Sequence, residues 1–156
     1  MWDRFESVDL NEVATGVLDE LEIMIAGVEA RVETEQPLPV IIADRTQMRQ
    51  LWQNLISNAI KYKNKDEAPL IKIRYQKVAE KWEFEVEDNG IGFDIKYMDR
   101  MTKPFQRLHT KDDIEGTGIG LAICRKIVFQ HGGKLTARSE PGKGSIFVFQ
   151  LGQANP

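Results

Sequence analysis

The chain reads as an α/β protein, a two-layer sandwich with one layer of helices over one side of a mixed sheet. Three observations predict it. Residues 71–76 and 81–87 alternate apolar and polar side chains with a period of two, as in a sheet with one buried and one wet face. Residues 9–25 and 44–63 repeat their apolar side chains at helical spacing. A third helix over 117–130 stops at Gly132-Gly133, and strands over 134–139 and 145–151 finish the chain.

Asp9 followed by Glu12 resembles a capping box and opens the first helix. Leu10, Val13, Ala14, Val17, Leu21 and Ile25 form its apolar face. Short extended pieces are expected at 29–33 and 40–42, separated by Pro37 and Pro39. Asp44, with Gln47 three residues on, caps a second helix running to Lys63. In the first clear strand Ile71, Ile73 and Tyr75 alternate with Lys72, Arg74 and Gln76. In the second, Trp82, Phe84 and Val86 alternate with Lys81, Glu83, Glu85 and Glu87. From 93 to 115 the pattern is lost, and this charged stretch is expected to be a mobile loop.

With 156 residues the chain fits one domain, of a size that buries roughly 70% of the surface its unfolded form exposes. Apolar runs fall far short of a membrane span, and Met1-Trp2-Asp3-Arg4 does not resemble a signal peptide. A cytoplasmic module without membrane contact is expected. The net charge of −3 gives no reason to invoke nucleic acid. Cys124 is the single cysteine, which excludes an internal disulfide. Its apolar helical neighbours predict a buried, unreactive thiol in a reducing compartment. No linker, repeat or low-complexity stretch interrupts the chain, which reads as one module, monomeric alone, of the kind excised from a longer protein.

Three strings carry the chemistry. At about 100° per residue, Gln50, Asn54, Asn58 and Lys61 form one helical stripe bordered by Leu51, Leu55 and Tyr62. Asn54 and Asn58 therefore sit at the rim of the apolar arc, near where helix meets sheet. A single rim asparagine is most simply a structural amide. Two of them four apart, followed by a cation and an aromatic ring, fit a cleft better. An amide oxygen suits Mg²⁺, Lys61 can meet phosphate, and Tyr62 offers a flat face to a base.

Asp88-Asn89-Gly90 ends the second strand, and Asn-Gly is a strong hairpin signal. The next residues, Ile91-Gly92-Phe93-Asp94, do not alternate cleanly into a paired strand. The alternative is that Asp88 accepts from an adenine amino group while Gly90 and Gly92 let the backbone approach the ring. Gly116, Thr117, Gly118, Ile119 and Gly120 then lead into a helix whose first amides can receive phosphate oxygens. A dinucleotide-binding turn needs a strand just before the glycines, but Lys111-Asp112-Asp113-Ile114-Glu115 is a charged loop. A phosphate-loop lysine motif is absent.

On these residues the chain resembles the catalytic and ATP-binding domain of sensor histidine kinases, within the wider family shared by gyrase, Hsp90 and MutL. The resemblance covers nearly the whole chain and implies the Bergerat-type ATP-binding fold, with three main helices on one face and a mobile ATP lid over 93–115. Residues 54–62 match the asparagine box, implying Asn58 as the metal ligand, Asn54 in support and Lys61 beside them. Residues 88–92 match the first glycine box, implying that Asp88, Gly90, Ile91 and Gly92 hold adenine. Phe105, near Arg107, matches the phenylalanine box of the lid, and residues 116–121, ending in Leu121, match the second glycine box. The runs FQRLHT, EGTGIGLAICRKIV and HGG are most similar to phytochrome-type sensor kinases.

Hydrolysing members of the wider family carry a glutamate four residues before the metal-binding asparagine. Here that position is Asn54, and an amide cannot take a proton. Phosphoryl transfer to a histidine needs mainly positioning and charge neutralisation. The resemblance thus implies Mg-ATP as cofactor and γ-phosphoryl transfer to a dimerisation domain of the same parent kinase, with a response regulator receiver domain as indirect partner. The acceptor is not in this chain. His109 falls in the loop and His131 at a helix end, and neither has the acidic, arginine-containing context of an acceptor helix. An ATP-hydrolysing conformational machine, a silent protein-interaction scaffold and a serine kinase of the anti-sigma type are the rival readings.

Overall fold

A computed structural model of the chain describes residues 4–34, 37–101 and 118–152. Seven strands are described: β1 (Phe5–Asp9), β2 (Arg31–Thr34), β3 (Val40–Asp44), β4 (Leu70–Val78), β5 (Lys81–Asp88), β6 (Thr136–Ser139) and β7 (Ser145–Leu151). Between them lie α1 (Leu10–Glu20), α2 (Glu22–Gly27), α3 (Arg45–Lys61), a 3-10 turn (Ile95–Tyr97), α4 (Met98–Met101) and α5 (Gly118–Gln130). The main sheet has five strands in the order β2-β4-β5-β7-β6. Among the described strands only the β2–β4 pair is parallel, so the sheet is mixed as expected. None of the described helices is long and apolar enough to cross a membrane.

The period-two stretches became the central strands. Ile71, Ile73, Phe84, Val86, Phe147 and Phe149 face the helices and are buried. The other face is wet and charged. Arg74 sits across from Glu85 at 3.1 Å and Glu87 at 2.7 Å, and Arg138 reaches Glu85 at 3.3 Å. Opposite charges directly across neighbouring strands tolerate the run of glutamates on β5.

α3 is the central helix, packed between α1 and α5. Asp44 caps it, its carboxylate accepting from the Gln47 N–H at 3.0 Å. Its buried face includes Met48, Leu51, Trp52, Leu55, Ile56 and Ile60. Trp52 meets Phe84 edge-on at 5.5 Å and Phe149 at 5.6 Å, yet its buried indole N–H has no conventional acceptor among the described residues. An unmade bond of this kind costs about 1–3 kcal/mol. Burying a tryptophan's surface of roughly 150–250 Å² contributes about 4–6 kcal/mol. Burial wins, and the ring stays in the core.

Several boundaries depart from the sequence expectations. β1 was not foreseen, and β3 pairs with it antiparallel in a separate two-stranded sheet. The first helix breaks at Leu21, whose backbone leaves helical geometry, so Ile25 belongs to α2. Asp9 does cap α1, but from the Asn11 N–H at 2.8 Å; Glu12 pairs with Arg45 at 3.5 Å instead of closing a capping box. Asn11 ties down the proline segment, accepting from the Leu38 N–H and donating to the Leu38 carbonyl, each at 2.8 Å. At the start of the expected lid, Phe93 is buried and stacks on Phe147 at 6.0 Å, so the chain there is anchored in the core before it turns into the 3-10 segment.

Candidate functional site

Asn54 and Asn58, one turn apart on α3, face the first turn of α5. A Cβ added to Gly120 would lie 3.6 Å from Asn54 Oδ1 and 3.7 Å from Asn58 Nδ2. The amides therefore border the first turn of α5, a neighbour that the helical wheel alone could not give. Any side chain longer than a methyl at Gly120 would press into them. Asn58 Nδ2 is buried and has no hydrogen-bond partner among the described residues. Whichever way the amide is turned, one polar end of this side chain has no partner among the described residues. Lys61 is exposed in the last turn of α3.

Tyr62 caps that helix, and its carbonyl accepts the Ile91 N–H at 3.0 Å. A Cβ on Gly90 would strike the same carbonyl. Glycine at 90 is thus required by close approach, and the end of α3 is fastened to the loop after β5. Asn89 fastens the loop's other side. Its side chain accepts from the Leu70 N–H at 2.8 Å and donates to the Ala68 carbonyl at 3.0 Å. Asn-Gly here is not a hairpin, because those bonds turn the chain away from any returning strand.

Asp88 is the last residue of β5, flanked by Ile71 of β4 and Ser145 of β7. Two residues after buried Val86, its side chain faces the helical layer. Burial pushes the carboxyl up from its ordinary 3.8 to about 6; the nearby Glu87 charge adds to the rise, and backbone N–H groups of Gly90 and Ser145 oppose it. The Gly90 bond is 2.8 Å long. A cleft of about 440 Å³ opens beside Asp88, with Glu87, Ser139, Lys143 and Ser145 among its walls.

The loop continues through Gly92, which has φ +66° and lies so close to the Glu140 carbonyl that a Cβ would collide with it. The Ile91 carbonyl accepts the Gly142 N–H at 2.6 Å. The turn between β6 and β7 thus supports this loop from behind, a role the sequence reading missed. Pro141-Gly142-Lys143-Gly144 marks a turn in the sequence, but nothing local tells what the turn touches.

Gly118, Ile119 and Gly120 form the start of α5, as expected. Leu121 is buried in the core cluster at 5% exposure. Phe105, Arg107, His109, Gly116 and Thr117 lie outside the described residues. His131 is fully buried and structural. Its Nε2 accepts the Asp44 N–H at 3.1 Å, its Nδ1 is 2.8 Å from the Ile127 carbonyl, and Phe5 meets the ring edge-on at 4.9 Å. Cys124 is fully buried and its thiol is pushed up to about 12 by burial. Among the described residues no three His, Cys, Asp or Glu side chains cluster as a metal site.

An amide-bearing helix, a buried acid at a strand end and a helix opened by glycines are gathered at one end of a mixed sheet. That combination defines the two-layer sandwich of the histidine kinase and gyrase type of ATPase domain. A family model described as "Histidine kinase-, DNA gyrase B-, and HSP90-like ATPase" matches residues 43–155. Cyanobacterial phytochrome A of Nostoc sp. is 43% identical over 147 residues, 94% of this chain and 19% of that protein. Phytochrome-like protein Cph1 of Synechocystis sp. is 43% identical over 143 residues, 92% of this chain and 19% of that protein. The nucleotide-free catalytic domain of histidine kinase ThkA superposes with a TM-score of 0.78 at 30% identity, covering 96% of each chain. ThkA in complex with response regulator protein TrrA gives 0.72 at 28% identity, covering 96% of this chain and 42% of that one. The chain belongs to the histidine kinase-, DNA gyrase B- and HSP90-like ATPase family, and its relatives are phytochrome-type and other sensor histidine kinases. It spans about a fifth of the length of the phytochromes that it matches.

Proposed function

We propose that residues 1–156 are a single catalytic domain that binds Mg-ATP and delivers the γ-phosphoryl group to a histidine on a separate dimerisation domain of the same parent kinase. A response regulator receiver domain would take the phosphoryl group onward. The residue at position 54 carries this reading. In the hydrolysing members of the wider family a glutamate at that position activates water; Asn54 has an amide there, which borders the start of α5 and cannot accept a proton. What the site retains is the means to hold a nucleotide.

Asp88 would accept from the adenine amino group, with Gly90, Ile91 and Gly92 beneath the ring and Tyr62 at its side. Asn58 would hold a magnesium ion through its amide oxygen, which fits when that oxygen occupies the buried amide position without a partner among the described residues. The ion would supply charge neutralisation to the phosphates. Lys61, Arg107 and the amides of Gly116, Thr117, Gly118, Ile119 and Gly120 would add to it, with Phe105 and Leu121 bounding the site. The buried His131, committed to Asp44 and Ile127, is withdrawn from any acceptor role.

Two measurements on the isolated domain test this. Calorimetric titration with ADP and Mg²⁺ should show one site, and incubation with γ-labelled ATP should leave no label on the chain and release little phosphate. Steady ATP turnover would favour a conformational machine, and absence of nucleotide binding would favour a scaffold.

A further inference from the structure

Ser139 of β6, Ser145 of β7 and Asp88 of β5 stand in one register row across three strands. All three belong to the helix-facing side of the sheet, as the burial alternation along each strand requires. Ser139 is the hub of this row. Its Oγ accepts the Phe93 N–H at 2.8 Å, donates to the Gly144 carbonyl at 2.9 Å and lies 2.9 Å from the Ser145 hydroxyl. A hydroxyl has one proton, so once it donates to Gly144 the Ser145 hydroxyl must donate to it. Every polar valence of Ser139 is then used.

Those partners are the neighbours of Asp88. The backbone N–H of Ser145 donates to the Asp88 carboxylate. Gly144, with φ +77°, lies so close to the Asp88 carbonyl that a Cβ would collide with it. Phe93 ends the loop that begins at Asp88, and stacks on Phe147. One side chain thus holds both the strand beside the acid and the exit of the loop after it.

We propose that Ser139 is a positioning residue for adenine recognition: its hydroxyl fixes Ser145 and Phe93, and through them the aim of the Asp88 carboxylate at an exocyclic amine. This rests on the nucleotide reading above. Without the hydroxyl, three partners lose a bond and the carboxylate gains freedom to swing. Binding of a base that presents an amine to Asp88 then suffers more than binding of one that does not.

The discriminating pair is ADP against inosine diphosphate, which lacks the amine, each titrated with Mg²⁺ by calorimetry. Wild type should prefer ADP. Ser139→Ala should weaken ADP by about tenfold while inosine diphosphate changes by less than about threefold. Ser139→Thr, which keeps the hydroxyl, should restore the preference. Ser139→Cys keeps the volume with a weaker acceptor, shifts the ratio in the same direction as alanine, and carries the test if the alanine variant does not fold. A ratio unchanged from wild type in folded Ser139→Ala or Ser139→Cys overturns the role of Ser139 alone. Wild type that binds neither nucleotide overturns the nucleotide reading, and this inference with it.

Discussion

Asp88 stands at the point where stability and the proposed function pull in opposite directions. Its folded pKa of about 6 lies above the ordinary 3.8, chiefly because burial penalises the charged form. Its contribution to stability is therefore full below about pH 4 and is lost as pH rises through about 6. At about 1.4 kcal/mol per tenfold change in proton affinity, the ionised carboxylate destabilises the empty fold by about 2–3 kcal/mol at pH 7.5. Asp88→Asn removes the charge and keeps an oxygen for the Gly90 N–H, at the cost of about 1 kcal/mol for the weakened Ser145 bond. The substitution should stabilise the nucleotide-free domain by about 1–2 kcal/mol at pH 7.5. The gain should shrink towards zero by about pH 4.5 as the wild-type acid takes up its proton. Urea unfolding followed by tryptophan fluorescence, run on both proteins across this range, measures the difference while cancelling every other carboxylate. The same variant should lose ADP affinity. A difference that does not vary with pH, or a variant less stable than wild type at pH 7.5, would refute the argument that burial dominates this carboxyl.

Three further outcomes rest on single contacts. His131→Ala strips the Asp44 N–H and the Ile127 carbonyl of a buried partner and should cost about 2–4 kcal/mol in denaturant unfolding; a loss under about 1 kcal/mol would mean the imidazole does not hold these elements together. Gly144→Ala places a Cβ at positive φ against the Asp88 carbonyl and should lower stability by about 1–3 kcal/mol. It should also weaken ADP, and normal affinity in a folded variant would show that the turn can move without disturbing Asp88. Cys124, with its thiol pushed up to about 12, should resist Ellman's reagent at pH 8 until denaturant is added. Rapid labelling of the native domain would contradict its burial.

Legibility depended on how far apart in the chain the interacting groups lie. The cap and periodicity of α3 are local, and the helix forms where Asp44 and the spacing of Met48, Leu51, Leu55 and Ile56 place it. The strands around Ile73 and Phe84 were equally plain, since alternation over seven or so residues admits few alternatives. β1 was invisible because its five residues bury one side chain, Val8, completely and exist as a strand through pairing with β3. Asn89 is a related case. Its Asn-Gly sequence favours a hairpin locally, but the side-chain bonds to residues 68 and 70 override that preference. The two-asparagine motif was recognisable, whereas its facing partner, Gly120 of α5, was not.

What the sequence alone determined is the material of the site and its chemistry. An amide at 54, an amide at 58, an acid at 88 and glycines at 116, 118 and 120 state which groups are available and which proton acceptor is missing. These are covalent facts that no folding can alter. What the tertiary structure decided is their environment. The rise of Asp88 to about 6, the uncommitted end of Asn58 and the support from Ser139 all arise from segments that meet only when the sheet closes. Desolvation and hydrogen-bond partnership belong to the space around a side chain, and that space is built from residues some sixty positions away, as Gly120 is from Asn58.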